Sequence, residues 1–472
     1  MSRIVALRLL AVASLACAGC SLATAGNALP DGSVVRPDAG TMVDAGARDG
    51  ATTDDAGASA VDAGTADFDG GGIDSAVDSM PTCTDLMHNG TESDVDCGGT
   101  CAPCAEGRMC HGDPDCVTST CLAGICAPRP PLAFPYAPSN FDPVALGVDP
   151  AVTDPTTTLD CGVSTFDSTT LAFGNWCGHP LPVPAPQTQP SGPDVVVLPV
   201  RGLTIAAGSS LVLTGNRPVV VAAFGDASIE GTVDASASAT TPGAGGNWSC
   251  GSCSGSGSGS SGAGCNASGN RIGGGGAGHA TSGAAGGNAN TGTPGSGGRA
   301  YDTSALVPLR GGCNGGNGGM QYSPTPPAGA GAGAVQISAA GALAIDGTVL
   351  ATGGVGTNGI VDSSAGGGAA GGGSGGGIVV EGNTVTMGAA SMLSANGGSG
   401  GAGANRTTVA GGGAAGAGGT GTGGPTVGGG GSGYNGGGGG GGAVGFLHVR
   451  AIAVGGCSLA GMRSASELLT CP

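Results

Sequence analysis

From residue 195 onward the chain alternates short apolar runs with turns of glycine and small polar residues. The runs lie at 195–198, 203–205, 211–213 and 219–221, and Ile229 and Val233 follow them. Runs this short, rich in β-branched side chains and without an amphipathic helix between them, are typical of β-strands. The pattern therefore predicts an all-β fold for the C-terminal part of the chain.

The strand pattern is also repeated. The segment at 229–235, IEGTVDA, recurs at 345–351 as IDGTVLA and more loosely at 387–395. Each copy leads into a glycine-rich tract. Parallel β-solenoids stack such units so that the apolar residues of successive coils bury one another. We therefore predict a parallel β-solenoid, or β-helix, over residues 195–452, with long glycine-rich excursions between its strands.

The excursions, such as 366–377 and 428–442, carry few side chains that could be buried. Glycine loses more backbone entropy than any other residue when it is ordered. Two alternatives follow: the tracts are mobile loops, or they form polyproline-II-like glycine helices that pack side by side. Their recurrence beside equivalent strands favours partial ordering.

Composition supports a fold that needs few large side chains. The 472 residues include 105 Gly, with only seven Phe, four Tyr and two Trp. The 14 basic residues are all Arg and face 32 acidic residues, which gives a net charge of -18. Nucleic acid is disfavoured as a partner because no basic patch can neutralise phosphates. A phosphate-binding loop is disfavoured as well, because its motif requires Lys.

Residues 81–128 form a candidate disulfide-rich module. A domain of this size needs covalent staples to be stable, and an exported protein supplies them as disulfides. Residues 89–99, NGTESDVDCGG, with the cysteines at 101 and 104, resemble a short Cys-rich repeat of exported bacterial proteins, NGxETDVDCGGxCxxC. The resemblance implies no catalytic activity. The eight cysteines are Cys83, Cys97, Cys101, Cys104, Cys110, Cys116, Cys121 and Cys126.

Four acidic residues of this module, Asp85, Glu92, Asp94 and Asp96, are candidate Ca²⁺ ligands because closely spaced carboxylates suit a hard cation. Their spacing does not match an EF-hand loop, which favours a solvated acidic loop. We expect no other cofactor. The Cys101-x-x-Cys104 pair also allows half of a zinc site or a redox pair, but the density of cysteines favours disulfides.

Eight further cysteines are expected to form disulfides outside this module. Residues 129–194 are a proline-rich connector or cap, in which Cys161 and Cys177 are expected to pair, and residues 453–472 are a C-terminal cap held by Cys457 and Cys471. Cys250, Cys253, Cys265 and Cys313 are expected to staple the first excursion. The glycine-rich region resembles the PGRS-like β-helix proteins of bacterial surfaces, a likeness of architecture that carries no activity.

The N-terminus indicates export. An apolar run follows Arg3 and Arg8 and ends before Cys20, which predicts a signal peptide over residues 1–19. The sequence CAGC at 17–20 resembles a bacterial lipobox, which implies lipidation of Cys20. The alternative is cleavage after Ala25, which would release a soluble protein. Residues 20–80 repeat Asp-Ala-Gly and carry eleven acidic residues, so we predict a disordered acidic linker.

No constellation of catalytic residues stands out in the sequence. Glu230 and Asp346 occupy equivalent positions of the repeat, but each follows an inward Ile and is expected to face solvent. We therefore predict a non-enzymatic lipoprotein of the outer membrane, exposed on the cell surface, with a structural or adhesive role. Its expected partners are the membrane and surface polysaccharide or other cells. The alternatives are a carbohydrate-binding or polysaccharide-cleaving β-helix, an ice- or surface-binding polyglycine bundle, and a secreted or periplasmic location.

Overall fold

A computed structural model describes residues 82–128, 133–146, 156–248, 250–251, 264–267, 270–289, 292–320, 325–361 and 365–472. The chain divides into two units, residues 1–78 and 79–472, and all of the described residues belong to the second. The predicted signal peptide, the lipidation of Cys20, the acidic linker and Cys253 lie outside the described residues. The described part is nearly all-β, with about 28% of the chain in strands and 2% in helix.

The described residues form twenty strands and two short 3₁₀ helices, at Asp113–Asp115 and Val144–Leu146. The strands are β1 (Cys121–Leu122), β2 (Ile125–Cys126), β3 (Thr157–Leu159), β4 (Val163–Asp167), β5 (Ala172–Gly174), β6 (Ala185–Gln187), β7 (Val195–Val200), β8 (Leu203–Ile205), β9 (Ser210–Thr214), β10 (Val219–Ala223), β11 (Ala227–Ile229), β12 (Thr232–Asp234), β13 (Ala334–Ile345), β14 (Thr348–Leu350), β15 (Gly377–Met387), β16 (Met392–Ser394), β17 (Phe446–Ala451), β18 (Cys457–Leu459), β19 (Met462–Ser464) and β20 (Ser466–Thr470).

Strands β3 to β20 form three ladders. The chain runs through the ladders several times, and in each ladder the strand of one such pass lies beside the strand of the next. The first ladder has the order β6, β7, β10, β13, β15, β17, β20. The second runs β3, β8, β11, then the second halves of β13 and β15, and then β18. The third has the order β5, β4, β9, β12, β14, β16, β19. Only β5 and β6, at the start of the stack, pair with their neighbours antiparallel.

The register of the ladders confirms the repeat identified in the sequence. Ile229 pairs with Ile345, and Ile345 pairs with Met387, all three of which are essentially inaccessible to solvent. In the third ladder Val233 pairs with Val349 in the same way. These residues belong to one core of small aliphatic side chains. Apolar residues at every second strand position stack on their counterparts in the next pass, so the core extends along the ladders without many aromatic rings.

The ladders extend beyond the expected range of 195–452. Strands β3 and β4, in the predicted connector, pair in parallel with β8 and β9. Strands β18, β19 and β20, in the predicted cap, pair in parallel with β15, β16 and β17. Proline-rich and short polar segments join the stack because the partner strand supplies the hydrogen bonds, so they need little apolar sequence of their own.

The inner strands of the first ladder, from β7 to β17, are buried on both faces. Their inward residues, among them Val335 and Ile378, contact the main core. The opposite face packs against residues outside the ladders, including Phe134 and Leu306. Residues 133–146 therefore cover the outer face of the first ladder, and this covering segment brings polar groups onto the sheet.

The glycine tracts are ordered in a hydrogen-bonded layer over the described residues. The N–H groups of Gly436, Gly439 and Gly442 donate to the carbonyls of residues 404, 401 and 398, while residues 437, 440 and 443 donate to 271, 274 and 277. Every third residue thus donates to the same neighbouring segment. This period is expected for polyproline-II-like helices packed side by side, since that helix has three residues per turn. Packed glycine helices, and not mobile loops, are thus what the structure shows.

Only glycine fits at the closest approaches of this layer. A methyl group on Gly439 would overlap the carbonyl oxygen of Ala370, and one on Gly436 would overlap that of Gly367. The excursions also leave the third ladder at equivalent positions. Their first residues, Ala235, Ala351 and Ala395, each donate a backbone hydrogen bond to the strand of the next pass. The glycine layer is therefore a continuation of the ladders.

The predicted disulfides are confirmed wherever the structure describes both partners. Cys161 pairs with Cys177 and Cys457 pairs with Cys471, as expected. In the first excursion Cys250 pairs with Cys313, and Cys265 is also disulfide-bonded. The Cys-rich module contains the pairs Cys83–Cys101, Cys97–Cys104, Cys110–Cys121 and Cys116–Cys126. Since Cys101 and Cys104 are bonded to different partners, they form neither a redox pair nor a pair of zinc ligands.

Candidate functional site

A polar cluster lies between the first ladder and the covering segment. Outward side chains of β13, β15 and β17 meet there because their strands are neighbours in the ladder, about 4.8 Å apart. The cluster is centred on Glu381, which is fully buried, and includes Gln336, Ser338 and Arg450 from the ladder. It joins strands that are far apart in sequence.

Both carboxylate oxygens of Glu381 are saturated with donors. Gln336 Nε2 and Ser338 Oγ each lie 2.8 Å from Oε1, and Ser139 N lies 3.1 Å from the same atom. Ser139 Oγ donates to Oε2 at 2.8 Å, and Arg450 Nη1 donates to it at 3.2 Å. A carboxylate that is buried with a charged partner and a full set of donors has no free lone pair directed at a substrate. We interpret the cluster as a clasp that holds the covering segment on the sheet.

Tyr136 completes this clasp. Its hydroxyl donates to the carbonyl oxygen of Ala339 at 2.9 Å, and its ring lies 5.5 Å from the Arg450 guanidinium. Burial raises the pKa of the Tyr136 phenol well above its ordinary value, and the nearby Glu381 charge adds to this effect. The phenol is therefore a permanent donor, and the arrangement favours fixed structure over proton transfer.

Two buried histidines, like the residues of the clasp, hold segments of the chain together. His448 Nδ1 lies 3.1 Å from the carbonyl oxygen of Ala305, and burial lowers the pKa of its imidazole. His279 is fully buried; its Nδ1 lies 2.6 Å from the carbonyl oxygen of Gly375, and its ring stacks on Tyr301 with centroids 4.8 Å apart. His279 Nε2 lies 3.5 Å from Asp302 Oδ2. His448 therefore joins β17 to a loop, and His279 joins two segments outside the strands.

The carboxylates singled out in the repeat are exposed. Glu230 and Asp346 lie at the surface immediately after the buried Ile229 and Ile345, which confirms the orientation that strand alternation predicts. Each follows the end of a strand, and no ion pair of either appears within the described ranges. The register brings these two positions together on adjacent passes.

The candidate Ca²⁺ ligands accept hydrogen bonds from groups within the Cys-rich module. Asp85 accepts hydrogen bonds from Met87 N at 2.9 Å and from Asn89 Nδ2 at 3.0 Å, and Asp94 accepts from Met109 N at 2.8 Å. Asp96 accepts from Leu86 N at 3.0 Å. Of the four, only Glu92 joins a group of potential metal ligands in the described part of the chain, and its companions, Cys83 and Cys101, are bonded to each other. These carboxylates stabilise turns of the module and do not converge on a common point that could hold a cation.

The residue that organises the Cys-rich module is one the sequence did not single out. Asp115 accepts hydrogen bonds from Ser93 Oγ at 2.5 Å, from Gly99 N at 2.9 Å and from His111 N at 2.8 Å. These donors, with Ser93 the strongest, lower the pKa of Asp115 to about 2. Its position directly before Cys116, in a segment DPDC, was the available signal, since Asp before a turn commonly accepts backbone hydrogen bonds.

Comparisons with known proteins identify no relative of this chain. No family model, no curated protein and no solved structure matches it. Among the described residues, no helix has the length and apolar character required to cross a bilayer.

Proposed function

We propose that this chain is a non-enzymatic, lipid-anchored surface protein whose parallel β-solenoid serves a structural or adhesive role. The observation that carries the proposal is the continuity of the strand ladders from β3 to β20, with the glycine layer hydrogen-bonded to them. A body built in this way is extended and rigid, and it presents regular outer faces. Such faces suit contact with a large partner better than enclosure of a small substrate.

The solenoid interpretation is supported by the shared passes of the three ladders. Strands β10, β11 and β12 follow one another along the chain, and each enters a different ladder. Their inward residues, Val221, Ile229 and Val233, belong to one core. Three consecutive strands around a common core are one turn of a three-sided solenoid, and β13 with β14 begins the next turn.

Export is supported by the disulfides. Disulfides persist in oxidising compartments and are rare in the cytosol. Eight of the bonded cysteines lie within residues 83–126, as the resemblance to exported Cys-rich repeats implies. The lipobox-like sequence that ends at Cys20 supports the anchor, and Ser21 after it, where inner-membrane lipoproteins carry Asp, resembles outer-membrane sorting.

The lipid anchor is tested by metabolic labelling with a fatty-acid analogue. We expect the parent and Cys17→Ala to be labelled and Cys20→Ala to remain unlabelled, since only the latter removes the acylated sulfur. Labelling that persists in Cys20→Ala would contradict the anchor. Protease treatment of whole cells then tests exposure: degradation without lysis supports the surface location, and full protection places the protein in the periplasm.

The structural or adhesive role is tested by deleting the protein and measuring attachment of cells to one another and to surfaces. We expect weaker attachment that the parent gene restores. Purified protein should release no sugar ends from polysaccharides. A reproducible release that is lost in Glu230→Gln or Asp346→Asn would show an enzyme and would overturn the proposal.

A further inference from the structure

The outer face of the second ladder carries a row of hydroxyl groups. Parallel pairing places Thr204 beside Ser228 and Ser228 beside Ala344, and the row continues with Thr386 and Ser458. These residues are half-buried or exposed. Successive positions of the row are spaced by the strand separation, about 4.8 Å, and Ala344 leaves a gap in the hydroxyls between Ser228 and Thr386. A hydroxyl both donates and accepts hydrogen bonds, so the row offers several sites for a polar ligand.

A groove of about 620 Å³ lies over the part of this row formed by Thr204, Ser228 and Ala344, and it crosses several passes of the ladder. Thr156, Arg201, Thr204, Asp226 and Ser228 contribute polar groups to its lining. The Asp226 side chain is fixed, because its Oδ1 accepts a hydrogen bond from Ala342 N at 2.7 Å. Arg201 has no ion pair within the described ranges. The groove thus combines hydroxyls, one carboxylate and one guanidinium.

The chemistry of the groove selects among possible ligands. An extended peptide is disfavoured because parallel pairing to both sides uses the backbone groups of β8, β11 and the second half of β13. A polyanion is disfavoured by the net charge of -18. An apolar ligand would leave the hydroxyls without partners. None of these three objections applies to a neutral linear chain that is rich in hydroxyl groups.

We infer that this groove binds a neutral linear polysaccharide that lies along the ladder. The inference rests on the proposed function, because a protein displayed outside the cell meets such chains, and it names the ligand of the adhesive surface. Hydroxyls of the ligand exchange hydrogen bonds with Thr204 and Ser228, while Arg201 and Asp226 bind at the rim. No covalent step is involved.

The inference is tested by affinity electrophoresis of the full chain in gels that contain mixed-linkage β-glucan, galactomannan or dextran, with alginate as the polyanionic comparison. We expect retardation by at least one neutral polymer. Ala344→Trp should weaken the binding at least tenfold, because the indole would fill the groove from an outward position. Thr348→Trp, which is partly exposed on the third ladder, is the matched control and should bind like the parent.

Three results would overturn the inference: no retardation by any neutral polymer, retardation by alginate alone, or equal weakening in the two Trp variants. Circular dichroism establishes that both variants retain the parental strand content. A second variant, Arg201→Ala, removes a rim contact without filling the groove and should also weaken binding. Cell attachment and Cys20 labelling are measured separately, so failure of the groove is distinguishable from failure of the proposed function.

Discussion

Ser236 Oγ lies 2.7 Å from Thr352 Oγ1, although 116 residues separate them along the chain. The two residues stand where the first and second glycine excursions leave the ladders, and Thr352 N also donates to Ser236 Oγ at 3.0 Å. The long first excursion therefore returns to the stack in register. Its return depends on packing of the glycine layer.

Gly439→Ala should destabilise the protein by about 1–3 kcal/mol, because a methyl group at this position overlaps the carbonyl oxygen of Ala370. Gly424→Ala is the matched control: a methyl group there meets open space, so we expect little change. Thermal unfolding followed by circular dichroism measures both. Equal melting of Gly439→Ala and the parent would show that the glycine layer contributes little to stability.

Ile345→Asp should cost at least about 3 kcal/mol, because it buries an unpaired charge between Ile229 and Met387. Thr348→Asp introduces the same charge at a partly exposed position of the next strand and should change stability by about 0.5 kcal/mol or less. Denaturant unfolding compares the two variants. The ladder core would be disproved if both variants were equally stable.

Glu381→Ala should destabilise the fold by about 3–5 kcal/mol, since it leaves Arg450 and the donors of the covering segment without their partner. Glu467→Ala is the control. It breaks a Glu–Arg pair of the same 3.2 Å length, but that pair is partly exposed and should contribute less than about 1 kcal/mol. Limited proteolysis near Ser139 should increase only in Glu381→Ala. Similar losses in both variants would show that the clasp does not hold this segment.

The carboxyl of Asp115 should titrate at about pH 2, as followed by carbon NMR, because hydrogen bonds from Ser93, Gly99 and His111 stabilise its charged form. Since the folded-state pKa is depressed, this contribution to stability is present above about pH 4, the ordinary value for Asp. It is lost as the pH falls towards 2. In Asp115→Asn that acid-dependent loss should disappear, whereas Glu106→Gln, at an exposed position, should keep it. A midpoint near 4 would contradict the geometry.

Much of the strand stack could be predicted from the sequence. The repeated apolar positions around Ile229 and Ile345 identified strands that the structure pairs directly. Proximity along the chain was also sufficient for the Cys161–Cys177 and Cys457–Cys471 disulfides. The outward orientation of Glu230 followed from strand alternation alone.

The candidate sites depended on contacts that no local pattern encodes. Ser139 and Glu381 are 242 residues apart, and nothing in either segment names the other as its partner. The groove at Arg201 and Ser228 likewise appears only when three passes are stacked. The four pairings inside the Cys-rich module were open as well, because eight cysteines allow many connectivities.

The sequence by itself determined where the repeated strands between residues 195 and 395 form, which of their side chains face inward and that glycine dominates the excursions, because these are properties of residue type and periodicity. Only the tertiary structure decided how the excursions pack. Glycine has no side chain that could mark a face or a register, so the partners of residues 436–443 follow from backbone hydrogen bonds to three separate neighbours. Those bonds connect segments that the ladders hold side by side.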